Sequence, residues 1–126
     1  MMARPKLRVR KISVVAAPMM EVELPADSDV QGVELLSLQL DEGFLRQSIE
    51  IYIVAPEGVP EVLRSAWLVP VDGEVPSAAA EAERLGVVSR FEDKVAGTPT
   101  TRPVICVVLL ETQDQARHRH SARRSW

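Results

Sequence analysis

The chain has 126 residues, 46% of them hydrophobic and 26% charged, with a formal net charge of −3. That composition suits one globular domain, and aromatics are so few (Phe44, Tyr52, Trp67, Phe91 and Trp126) that its core must be aliphatic. No apolar run nears the roughly 20 residues of a membrane-spanning helix, and one cysteine excludes an intrachain disulfide and a cysteine-based metal site.

At the N-terminus Arg4, Lys6, Arg8, Arg10 and Lys11 precede the apolar stretch Ile12 to Met20, an order shared with signal peptides. Pro18 interrupts that short stretch, and the charges alternate with Leu7 and Val9, so the segment reads as a strand. Leu7 to Ala16 changes phase near Lys11, which a bulge there would explain. Met20, Val22 and Leu24 alternate with Glu21 and Glu23 as in a strand with one wet face. Asp27 to Gly32 reads as a polar turn, and the strand Val33 to Leu40 places Leu36, Leu38 and Leu40 on one side. Asp41-Glu42-Gly43 supplies a turn, with Gly43 able to take the positive φ a hairpin needs. Ser48 to Ala55 follows, with Ile49, Ile51 and Ile53 inward and Glu50 outward.

After the loop Pro56 to Pro60, the strand Ser65 to Val71 sets Trp67, Val69 and Val71 on one buried face. Ser77 to Leu85 is the one good helix candidate, with Ser77 as cap and alanines at 78, 79, 80 and 82. Leu85 to Phe91 is a strand, and residues 92–103 form a loop rich in Gly, Thr and Pro. The last strand, Val104 to Leu110, is apolar at every position and holds Cys106, so it should be central and covered on both faces. Beyond Glu111 the chain turns polar. Thr112 could cap a helix through Ala116 to Arg124, but no apolar stripe would hold it down, so the expectation is a tail that is disordered when free or helical when bound. The expectation is a mainly β protein, an antiparallel sandwich or small barrel of about seven strands with one short helix and polar termini. Residues 1–6 are a basic N-terminal arm, 7–111 the β domain and 112–126 a basic C-terminal tail.

The residues that could carry chemistry do not converge on a site. Asp27, Asp29, Gln31 and Gly32 match part of a calcium-binding loop, but its twelfth position, where a bidentate glutamate belongs, is Leu38. His118 and His120 lie in the Arg-rich tail without a third metal ligand and without the fixed geometry of a general base. The acidic pairs Asp41-Glu42, Glu81 with Glu83, and Glu92-Asp93 read as solvated charge, and no phosphate-cradling glycine loop occurs. With no asparagine in the chain, N-glycosylation is excluded. Catalytic residues, cofactor and metal are therefore all expected to be absent.

Charge layout is the most informative feature. Residues 1–11 carry five Lys or Arg and residues 116–126 four Arg, while the other six basic residues and all 18 acidic ones lie between them. The arms, with Arg4, Lys6, Arg8 and Arg10 at one end and Arg117, Arg119, Arg123, Arg124 and Trp126 at the other, are the candidate partner-binding residues. They could neutralise phosphates, but the acidic body would repel the same backbone, and Trp126 is the one aromatic beside them. Docking of the arms on the acidic body of a neighbouring subunit is the favoured reading.

Four short motifs carry a resemblance: Val22-Glu23-Leu24-Pro25, Leu36-Ser37-Leu38-Gln39, Leu85-Gly86-Val87 and the closing Leu109-Leu110-Glu111. Spread over most of residues 7–111, they make the chain resemble a group of short β-rich proteins common in phage genomes. The group's Gly-His-Pro after the middle strand and its aromatic-rich last strand are missing here. The resemblance implies a viral or prophage setting and assigns no functional residue. The resulting expectation is a non-enzymatic structural or accessory assembly protein, cytoplasmic or in a virion, whose partner is itself or a larger protein assembly. An inhibitor of host defence that binds a small ligand or a protein, and a nucleic-acid-associated protein, are the alternatives.

Overall fold

A computed structural model describes the backbone of residues 6–41, 44–91 and 103–124, and the side chains of these except 36–41, 44–46, 90–91, 103 and 122–124. Among the described residues, seven strands form two antiparallel sheets that pack as a sandwich, with no closed barrel. Strands β1 (Leu7–Val15), β4 (Phe44–Pro56) and β3 (Asp29–Asp41) make the first sheet, in that order. The second runs β2 (Met19–Pro25), β5 (Glu61–Pro70), β7 (Pro103–Leu110) and β6 (Glu83–Phe91). One aliphatic core fills the space between them, built from Met20, Val22 and Leu24 of β2, Ile49, Ile51 and Ile53 of β4, Ala66 and Leu68 of β5, and Cys106, Val108 and Leu110 of β7. Full burial of each such Ile or Leu contributes about 1.5–3 kcal/mol.

Alternation in β2 and β4 falls where the sequence places it. In β1 it does not need the bulge expected near Lys11, because pairing with β4 is unbroken from Leu7↔Pro56 to Val15↔Ser48. Ile12 and Val14 point to the core while Leu7 and Val9 simply stay outside, 68% and 75% exposed. The irregularities sit in β3 instead, between Val30 and Gly32 and between Leu36 and Gln39. That strand starts at Asp29, four residues before its expected start, after a turn in which Asp27 takes a φ of 58°. The expected one-sided set of Leu36, Leu38 and Leu40 involves side chains outside the described ones, and Glu42 and Gly43 lie outside the described residues. The flanking strands nevertheless pair as far as Asp41↔Phe44.

The predicted helix over Ser77 to Leu85 is a single 3-10 turn, Ser77–Ala79, preceded by Pro76 and without a side-chain cap. Alanine propensity is worth tenths of a kcal/mol per residue and cannot offset the cost of nucleating so short a helix. Pairing with β7 from Glu83↔Leu110 onward wins the remaining residues. At Gly86 the register shifts and φ is 154°. A Cβ there would come within 3.0 Å of Val33 in β3, so the glycine lets β6 approach the opposite sheet.

β7 is central, as expected, but its outer face is covered only in part. Leu109 is buried, Val107 half-buried and Ile105 51% exposed. Trp67 is 5% exposed, yet it lies outside the sandwich core, in an outer cluster with Val69, Ala79 and Leu109. Val71, expected beside it, follows the end of β5 and is 59% exposed.

The C-terminal segment is not a free tail as far as Arg124. Residues Gln113–Arg124 form the helix α1. The Thr112 hydroxyl accepts the Gln115 backbone N–H at 3.2 Å and the Gln115 side-chain Oε1 accepts the Thr112 N–H at 3.1 Å, a reciprocal capping box. Ala116 is fully buried, and polar contacts provide the rest of the docking. No helix among the described residues is long and apolar enough to cross a membrane.

Candidate functional site

Three of the basic residues singled out in the sequence, Arg8, Arg10 and Arg119, are engaged by carboxylates of the same chain. Arg8 pairs with Glu57, and Arg10 with Glu61 at 3.4 Å; Arg8, Arg10 and Glu57 line a small cleft beside Gly58. Lys11 reaches Glu50 at 3.4 Å. At the other end Arg119 donates two hydrogen bonds to the Glu111 carboxylate, at 2.9 and 3.0 Å. Glu111 also accepts the Ser65 N–H at 3.1 Å, while its backbone carbonyl accepts from the buried Arg64 at 2.7 Å. His120 Nε2 lies 3.1 Å from the Leu63 carbonyl oxygen. Lys6, Arg117 and His118 are exposed, Arg123 and Arg124 belong to the last turn of α1, and Arg4 and Trp126 lie outside the described residues.

Electrostatics make the Glu111 network a fastener. Burial alone would raise the Glu111 carboxyl, but the Arg119 hydrogen bonds and the Ser65 N–H outweigh it and hold the group below its ordinary value. The same bonds raise Arg119, and burial lowers Arg64 against the pull of Glu83 and Glu111. Asp27, a candidate calcium ligand, instead takes part in fixing α1: its N–H donates to Gln113 at 2.6 Å and its carboxylate accepts from Gln113 at 3.3 Å.

A second polar cluster lies on the outer face of the three-stranded sheet. Glu34 and Glu50 face each other across β3 and β4, with the Tyr52 hydroxyl 3.1 Å from the first and 3.4 Å from the second. Hydrogen bonding to Glu34 raises the Tyr52 phenol, with burial and both carboxylate charges adding to it. Ser13 and Lys11 also reach Glu50, so the carboxylates are held by local partners. Among the described residues no group of three or more His, Cys, Asp or Glu side chains could hold a metal ion.

The feature best shaped for recognition is a groove of about 560 Å³ on the outer face of the four-stranded sheet. Strand register places its floor. Trp67, Leu109 and Arg84 form one row across β5, β7 and β6, Val69, Val107 and Val87 the next, and Ile105 and Ser89 a third, beside which the Val71 N–H bonds to the Ile105 carbonyl. The connector from Val71 to Ala82 makes the wall, with Val75, Ala79 and Ala82 facing the floor. Val71 (59%) and Val75 (49%) on the wall and Val87 (64%) and Ile105 (51%) on the sheet stay exposed.

Two charges mark the ends of this groove. Arg84 stands in the first row; Asp72, with a φ of 66°, stands in the turn beyond the third, where the Gly73 N–H bonds to the Pro70 carbonyl at 2.8 Å. Among the described residues neither has an ion-pair partner. Sequence reasoning missed this face. Its one trace was a last strand apolar at both parities. The chain matches no protein-family model, no curated protein and no solved structure.

Proposed function

We propose that this chain is a non-enzymatic structural or accessory assembly protein that works by docking the outer face of its four-stranded sheet against protein. The carrying observation is the exposure of Val71, Val75, Val87 and Ile105 around one groove on a hydrogen-bonded sheet. Soluble monomers rarely leave large contiguous apolar patches in water, and such patches mark interaction sites. Engagement of Arg8, Arg10 and Arg119 by Glu57, Glu61 and Glu111 moves the favoured contact from the basic arms to this face. It also weakens the nucleic-acid alternative, because those cations are already neutralised. The viral setting rests on the sequence resemblance alone.

A second reading has a specific observation behind it. The groove volume falls within the roughly 300–1,000 Å³ of small-ligand pockets, and Arg84 would suit an apolar molecule with a carboxylate. One labelling experiment separates the two. The native thiol, Cys106, is buried, so Val87→Cys puts a selectively reactive thiol on the exposed face. Its labelling should slow as protein concentration rises, in step with the appearance of species above monomer mass in native mass spectrometry. A thiol that stays reactive in a strictly monomeric protein, and is protected by a medium-chain fatty acid, would transfer the groove to the ligand reading.

A further inference from the structure

Resting on the docking reading above, we infer that the partner of the groove is a second copy of this chain, joined by a two-fold axis that sets Arg84 of each copy against Asp72 of the other. Arg84 and Asp72 are exposed, unpaired among the described residues, opposite in sign, and placed at opposite ends of one apolar surface. From the row of Arg84 and Leu109 to the row of Ile105 is four residues along β7, roughly 13 Å at about 3.3 Å per residue. Within one chain the two charges are thus too far apart to pair. An isologous interface brings residue i of one copy to residue j of the other and j to i. A two-fold axis lying in the interface and bisecting the line from Arg84 to Asp72 carries each onto the other's position. It forms two ion pairs at once and closes the aliphatic strip of Val75, Val87 and Ile105 between them.

This arrangement explains features that a monomer leaves without purpose. Charges fringing an apolar centre match the usual order of an interface, where a desolvated middle is framed by a polar rim. The pairing also selects one orientation, since a parallel docking would set Arg84 against Arg84 and Asp72 against Asp72. The two-fold also closes, so the product is a dimer rather than a chain of copies.

The test uses two charge reversals in the full-length protein, R84D and D72K, followed by sedimentation equilibrium over a concentration series. Each variant alone carries like charges at both ends of the dimer interface and should dimerise at least tenfold more weakly than the parent. Mixed in equal amounts, the two should recover a dimer within a few-fold of parental affinity, because each then supplies the charge the other lost. Position 72 has a positive φ, so D72N, whose side chain tolerates that conformation, is the companion variant. It should weaken dimerisation by removing the pair without repulsion, and less than R84D does. A mixture no stronger than its components, or single variants that dimerise like the parent, would overturn the two-fold pairing. If the parent dimerises but only Ile105→Glu disrupts it, the docking face stands and the pairing fails. A parent that is monomeric at every concentration removes both.

Discussion

Trp67 shows how one residue can be buried without belonging to the main core. Its period-two alternation correctly marks it as covered, but the cover is the short connector with Ala79, not the opposite sheet. Large-to-small changes of this kind in a core cost about 3–5 kcal/mol. The outer cluster has only a few members and a wall that can settle inward, so Trp67→Ala should cost about 3 kcal/mol, the low end of that range. It should also leave the sandwich intact. Urea denaturation measures the loss, and amide exchange in β4 measures the sandwich. A loss under about 1 kcal/mol would mean that the connector does not depend on this side chain, and that the groove wall is set by something else. Val71 carries the complementary lesson. It has the right spacing to join Trp67 and Val69, but Asp72 and Gly73 turn the backbone first, so spacing alone could not place it.

At the scale of elements, the strands were legible because their signal is repeated: Ile49, Ile51 and Ile53 each report the same inward face. The two helical segments were not, and for opposite reasons. Ser77 to Leu85 has helix-forming residues, but its second half gains more from pairing with β7. Gln113 to Arg124 lacks an apolar stripe and is held by one buried alanine, a capping box and the Glu111–Arg119 contact, which only the fold brings together. This last fastening has a pH signature. A carboxyl held below its ordinary value in the fold contributes stability that is complete above its unfolded-state value and disappears as pH falls through the folded one. Acidification below the ordinary carboxylate range, about 4, should therefore release α1 before the sandwich melts. Protection of the residue 113–124 amides, corrected for the pH dependence of intrinsic exchange, would fall on acidification while β4 stays protected. Glu111→Gln, which loses charge-assisted hydrogen bonds worth about 2 kcal/mol, should show fast exchange in α1 already at neutral pH, with no further step in acid. A helix equally protected at both pH values in the parent would show that Glu111 does not hold it.

For the whole molecule, the separation of basic ends from an acidic body first suggests arms reaching to a neighbouring subunit. The fold gives those charges a nearer destination. Arg8, Arg10, Lys11 and Arg119 meet Glu57, Glu61, Glu50 and Glu111 of the same chain, so four of the nine arm cations are engaged within the monomer. The exposed pairs of Arg8 and Arg10 are worth about 0–1 kcal/mol each, enough to bias a terminal segment toward its own body but too little to assemble subunits. Exposed aliphatic side chains and two opposite charges without an ion-pair partner among the described residues come together on the outer face of the four-stranded sheet, in Val71, Val75, Val87 and Ile105 and in Arg84 and Asp72. The two sources of association can be told apart by deletion. Removing residues 116–126 takes away Arg119 and most of α1 but no strand and no part of the groove. The truncated chain should fold with reduced stability, since Glu111 keeps its Ser65 N–H but loses Arg119. It should dimerise with an affinity within a few-fold of the parent and with a similar weak dependence on salt, because the rim pairs of Arg84 and Asp72 are screened over about 8 Å at physiological ionic strength. Sedimentation equilibrium of the truncated and parent chains at two salt concentrations measures both quantities. If deletion abolishes dimerisation while circular dichroism still reports the β fold, the tail bridges subunits after all, and the groove is not the principal contact.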